Sequence, residues 1–162
     1  MKKFKESLAV LLAWLPLWAM AGYSPPKVQA VLKTMYPQAT GVAWSMQGNY
    51  YVARLVAEGW DTAVWIDLQA KWVMTLTDWG STDELPPAVY NAFASGIYAA
   101  EQVEDVTQAT FPRSPTVIVI KVGRQNLDAD YQLFYTPNGT LERTCNLGFA
   151  QGELTPATFT GQ

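Results

Sequence analysis

Two prolines stand side by side at Pro25-Pro26 and again at Pro86-Pro87, and the same pattern follows each pair. Proline has no N–H and a φ fixed near the helical value, so it fits the first turn of a helix and not the turns after it. After the first pair, Val28, Val31, Leu32, Met35 and Tyr36 recur at the spacing of an amphipathic helix. Ser24 is placed to cap it and Pro37 to stop it. After the second pair, Val89, Ala92, Phe93, Gly96 and Ile97 repeat the stripe. Val28 then corresponds to Val89, Val31 to Ala92 and Leu32 to Phe93. Gly96 weakens the second helix by about 1 kcal/mol against alanine.

Strand-like segments follow each helix. The first set is 41–48, 50–59, 62–69 and 71–78, and the second is 103–110, 116–123, 130–136 and 140–144. The connections are short: Gly48-Asn49, Gly59 through Asp61, Gln69-Ala70 and Pro137-Asn138-Gly139. Tight connections between β-rich segments specify antiparallel hairpins, not βαβ crossovers, and Asn-Gly is a strong hairpin signal. The chain thus reads as two tandem units, about 25–79 and 84–144, each a helix and a four-stranded meander. One such unit buries little alone. Together they predict a single α+β domain over 22–162: one antiparallel sheet of roughly eight strands, two helices packed on one face, and a C-terminal tail after Thr144.

The first 21 residues stand apart. Lys2, Lys3 and Lys5 precede an apolar stretch, and Ala19-Met20-Ala21 forms a small-residue cleavage site. This is the pattern of a secretory signal peptide and predicts a periplasmic or secreted protein. A membrane anchor is the alternative; Pro16 and the shortness of the stretch argue against it, and no stable anchor is expected after cleavage. The whole chain carries a formal charge of −3, and the leader holds Lys2, Lys3 and Lys5 against the single acid Glu6, so the remainder is more acidic. With no basic run, binding to nucleic acid is disfavoured. The chain has no histidine, which removes the usual general base and the commonest metal ligand. Cys145 is the only cysteine, so no intrachain disulfide forms, and zinc has no ligand set. No cofactor or metal site is expected, and the chain reads as a non-enzyme.

Several short stretches carry a family resemblance: "YPQATGVAW" (36–44), "YYVARL" (50–55), "VWIDLQAKWV" (64–73), "DELPPAVYNAF" (83–93) and "YQLFYTPNGTL" (131–141). With the leader, they resemble the PepSY-like family of small exported bacterial proteins, which are similar in fold to β-lactamase inhibitory protein. The resemblance spans nearly all of 25–144. It implies a helix–sheet repeat and an inhibitory or binding role, and it brings no catalytic residues. The family usually places glycine in the third hairpin, where this chain has Gln69-Ala70.

Candidate binding residues come from strand alternation. Trp44, Trp60, Trp65, Trp72 and Trp79 all fall in the first unit. Arg54 should avoid the core, which places Tyr50, Val52 and Val56 with it on an open face and Tyr51, Ala53 and Leu55 against the helices. Asp67 likewise brings Ala63 and Trp65 to the open face and sends Val64, Ile66 and Leu68 inward. In the fourth segment, Thr75 and Thr77 read as open with Val73, and Trp72, Met74 and Leu76 as core. Lys121 and Gln132 carry Val117, Val119 and Phe134 to the open face. The predicted partner surface is therefore Tyr50, Arg54, Trp65, Asp67, Lys121, Gln132 and Phe134, a mixture typical of protein-binding hot spots. Two other readings stay open. Arg54 and Asp67 could form a cross-strand ion pair with Trp65 lying over a flat sheet, or the chain could carry a small apolar ligand between sheet and helices. Asp128 and Asp130 form a D-x-D read as turn residues, and "EQVED" (101–105) reads as a turn into a strand.

Overall fold

A computed structural model describes residues 22–123, 129–148, 150 and 152–160. Residues 1–21, where a signal peptide is expected, lie outside the described residues, as does Asp128 of the D-x-D. The element order is a helix and four strands, then a helix and four strands. These are α1 (Pro26–Met35), β1 (Ala43–Gln47), β2 (Tyr50–Ala57), β3 (Trp60–Asp67), β4 (Trp72–Asp78), α2 (Pro87–Ala94), β5 (Gln102–Thr110), β6 (Val117–Gly123), β7 (Asp130–Tyr135) and β8 (Leu141–Gly148). The eight strands form one sheet in chain order, every neighbour antiparallel. The α+β architecture expected from the hairpin spacing is the one observed.

Both proline pairs open their helices, with Pro26 and Pro87 in the first turns. Ser24 does not cap α1: its hydroxyl is buried without a partner, and its carbonyl accepts from Gln29 Nε2 at 2.8 Å. Val28 and Leu32 of α1 pack on Ala53, Leu55, Val64 and Ile66. Val89 and Phe93 of α2 pack on Val106, Ile118, Ile120, Leu133 and Tyr135. The second stripe is shorter than its periodicity suggests. α2 ends at Ala94, and Ile97 is 87% exposed.

Strand parity holds in β2, β3, β6 and β7 and fails in β4. Trp65 pairs with Met74, but Ile66 pairs with Trp72, which leaves Val73 as the extra residue of a bulge. A bulge puts two residues opposite one, so alternation reverses across it. Trp72 therefore faces α1, whereas Met74 and Leu76 pack on the opposite face. Thr75, expected on the open face, faces the helices, is buried, and accepts from Trp72 Nε1 at 3.0 Å. Leu68, expected inside, lies beyond the end of β3 and is exposed.

The face away from the helices holds a core of its own. Val52, Trp65, Met74, Ala109, Val117, Val119 and Phe134 cluster there with Phe111, Leu154 and Phe159. After β8 the chain turns back over this face, and a short 3₁₀ turn at Pro156–Phe159 seats Phe159 against it. The Phe159 ring meets Phe111 and Phe134 edge-on, at 5.1 and 6.0 Å between centroids. Gln132 Nε2 donates to the carbonyl of Gly152, and Arg143 Nη2 donates to that of Thr158 at 2.8 Å.

Candidate functional site

The tail covers only part of its face. Beside it lies a cleft of about 1030 Å³ that crosses the strands from Gln47 on β1 to Gln132 on β7. Its floor is Arg54, Val56, Asp61, Ala63, Trp65, Leu76, Asp78, Asp105, Thr107, Val119 and Lys121, and Gly152, Glu153 and Leu154 form one wall. Strand alternation explains the floor: within each strand these side chains sit two residues apart on the face away from the helices.

The seven expected partner residues share that face but do not share its exposure. Trp65, Gln132 and Phe134 are buried, at 3%, 5% and 0% exposure, contrary to expectation. The reason is the tail: Gly152 accepts from Gln132, Phe159 lies edge-on to Phe134, and Leu154 and Phe159 belong to the same packed cluster as Trp65; no hydropathy period in 145–162 announces it. Arg54 is exposed. Lys121 is half-buried between Glu104 at 2.9 Å and Asp130 at 3.3 Å, and these hydrogen bonds hold its ammonium above the usual lysine range. Arg54, Trp65, Lys121 and Gln132 line the cleft. Tyr50 and Asp67 line a smaller one of about 300 Å³ with Asn49, Leu68, Gln69 and Val73. Phe134 lines neither and lies beneath Phe159 and Arg143.

The ion pair of Arg54 with Asp67 does not form. Arg54 is opposite Ala63, and Asp67 is opposite Tyr50. Asp67 instead organises its turn: Oδ1 accepts from the backbone N–H of Gln69 and of Lys71, both at 2.9 Å. Ala70 in that turn has φ +60°, a conformation costly for any residue with a Cβ. Tyr50 meets the Trp65 ring edge-on at 5.9 Å.

Sequence reasoning missed a row of carboxylates. Asp61 on β3 is directly opposite Asp78 on β4, Asp78 pairs with Thr107 on β5, and Asp105 sits two residues from Thr107 on the same face. Thr107 Oγ1 donates to Asp105 Oδ2 at 2.9 Å. Partial desolvation, then the adjacent Asp105 and next Asp61, push the Asp78 carboxyl above its ordinary value, opposed by the Gly80 N–H at 2.8 Å. The signal for Asp61 was available, since it alternates with Ala63 and Trp65. The β4 bulge hid Asp78, because unbroken alternation from Trp72 assigns it to the helix face.

No family model and no curated protein matches the chain. Solved structures do. A DUF2874 family protein from Bacteroides ovatus is 49% identical with a TM-score of 0.82, covering 86% of this chain and 99% of its own. A candidate periplasmic protein from Bacteroides eggerthii is 44% identical with a TM-score of 0.80, over 85% and 99% of the two chains. A BLIP-like protein from Bacteroides fragilis is 35% identical with a TM-score of 0.77, over 83% and 96%. These structures share the fold, and at this identity and coverage they fix the family: the chain belongs to the DUF2874 family.

Proposed function

We propose that this protein is an exported, non-enzymatic binding module of PepSY-like type that seats a protein partner in the cleft on the tail face. The observation that carries the reading is the cleft itself. It is wide, runs across most of the sheet, and mixes charged, apolar and aromatic side chains. Protein interfaces have such a composition, whereas a site for a small apolar ligand is enclosed and mostly apolar. The cleft also lies on the face away from the helices, not between sheet and helices where a ligand carrier would need it.

The chain has no histidine to serve as a general base, and the BLIP-like relative supports an inhibitory role toward an enzyme of peptidase or β-lactamase type. Export is supported by the leader pattern and by the periplasmic designation of the Bacteroides eggerthii relative. No helix among the described residues is long and apolar enough to cross a membrane.

The test is capture. Protein purified after expression of the full chain serves as bait in periplasmic extract, beside Val56→Asp and Arg54→Glu variants. Both side chains are exposed cleft residues, so neither change disturbs the core. A partner retained by the parent and lost from both variants supports the reading. Capture unaffected by both variants, or none above a blank matrix, overturns it.

A further inference from the structure

Resting on that reading, we infer that the C-terminal tail is an internal ligand. Residues 152–160 fill a peptide-binding groove, and an extended segment of the partner protein takes their place. That segment carries the tail's own pattern: an apolar residue, proline two positions on, and an aromatic three further.

The first argument is how the tail is held. Among the described residues, the backbone hydrogen bonds of 152–160 run from Thr158 to Thr155 and from Thr160 to Ala157, both inside the segment. No strand ladder ties it to the sheet. Its grip comes from side chains instead. Gln132 Nε2 holds the carbonyl of Gly152, and Arg143 Nη2 holds that of Thr158. Pro156 and Phe159 are buried and Leu154 is half-buried, while Glu153, Ala157 and Thr160 are exposed. Phe159 seats against Phe111 and Phe134, and Leu154 joins the same cluster. Every extended chain offers the carbonyls that the two donors read, so selectivity rests on the Leu-x-Pro-x-x-Phe positions. Peptide grooves divide the work in this way, with backbone bonds for affinity and side-chain seats for specificity.

The second argument is that the tail can be replaced. A segment without ladder bonds opens at lower free energy than the strands beneath it. Its fit is also incomplete, because Nε of Arg143, the residue that fastens it, is buried with no partner. A buried donor without an acceptor is destabilising, and an incoming segment that supplies one gains what the tail lacks. The tail borders the proposed partner site directly, since Gly152, Glu153 and Leu154 form a wall of the cleft. Moving them joins the cleft to the aromatic floor of Phe111 and Phe134. Being tethered, the tail competes at high effective concentration. A segment that displaces it must therefore engage the cleft as well, which makes the tail a guard against short peptides of similar pattern.

The experiment uses a fluorescein-labelled peptide of residues 152–162 as the probe, and the same peptide with its phenylalanine changed to alanine as the control. The hosts are protein purified after expression of the full chain, parent and Phe159→Ala. The probe is expected to bind Phe159→Ala saturably, about ten-fold tighter or more than it binds the parent, whose own tail competes. The control peptide should bind about ten-fold more weakly than the probe. A second measurement needs no variant: excess unlabelled probe should speed amide exchange at Thr158 and Phe159 of the parent and leave β2 and β3 unchanged. Equal binding of probe and control overturns the inference, as does tail exchange as slow as that of β6 with or without peptide. A parent dimer that exchanges tails between copies would replace the partner segment with a second copy and overturns it too. In capture from extract, Phe159→Ala should retain more partner than the parent. A partner captured equally by both, with no probe binding, removes this inference alone. Selective probe binding without any captured partner removes the functional reading instead.

Discussion

The guanidinium of Arg143 lies 4.0 Å from the centre of the Phe134 ring and donates to the carbonyl of Thr158, so one side chain fastens the C-terminal tail to the sheet. Its attraction to the ring contributes about 0.5–2 kcal/mol, and a hydrogen bond from a charged donor about 1.5–3 kcal/mol. Arg143→Ala is expected to cost about 2 kcal/mol in urea unfolding. It should also speed amide exchange at Thr158 and Phe159 without changing β2 or β3. Uniform acceleration across the sheet would show that the residue supports the whole domain and not the tail.

The burial of Trp65 makes it a structural residue as much as a cleft residue. Trp65→Ala should destabilise the fold by about 3–5 kcal/mol, the range for a large aromatic lost from a core. Trp65→Phe keeps most of the volume and the edge-on contact with Tyr50, and it deletes the unpartnered N–H. That variant should lose far less. Equal thermal melts for Trp65→Ala and the parent would place the indole outside the core.

Asp78 ties stability to pH with a definite sign. Its folded-state value is raised above the ordinary 3.8, so between the two values the folded chain holds a proton that the unfolded chain has released. Stability therefore falls as pH rises from about 3.8 through the folded-state value and stays lower at neutral pH. Asp78→Asn keeps an acceptor for the Gly80 N–H and removes the charge. It should melt higher than the parent at pH 7, and the gap should close toward pH 3. A gap of the same size at both pH values would mean that the charge is not its cause.

Much of this fold was legible because its signals are local. The proline pairs mark helix starts by removing an N–H, and the turn at Asn138-Gly139 needs a positive φ at Gly139. In β2, β3, β6 and β7, charged or polar residues such as Arg54 and Lys121 fixed which alternate set faces the helices. What failed to show depends on contacts distant in sequence. Nothing in Leu154 or Phe159 says that they will cover Trp65 and Phe134. The bulge at Val73 exists because Trp65 pairs with Met74 while Ile66 pairs with Trp72, which is a property of two strands and not of one. Through that bulge the row of Asp61, Asp78 and Asp105 escaped notice, although each residue taken alone is an ordinary polar strand position.

Two turns give substitutions of opposite sign. Gly139 has φ +88°, and a Cβ built there would lie 2.5 Å from the carbonyl oxygen of Ala88 in α2. That oxygen is backbone at the start of a helix and has little freedom to retreat. Gly139→Ala thus combines a strained backbone with a clash between the β7–β8 hairpin and α2, at a cost of about 1–3 kcal/mol. Ala70 is the converse: it carries its Cβ at φ +60°, in a turn already closed by Asp67. Ala70→Gly relieves that strain and should stabilise the fold by about 1 kcal/mol. Chemical denaturation of both variants and the parent measures the pair on one scale. A destabilised Ala70→Gly would mean that the chain entropy of glycine outweighs the relieved strain, and that the Asp67 bonds already set the turn whatever residue occupies position 70.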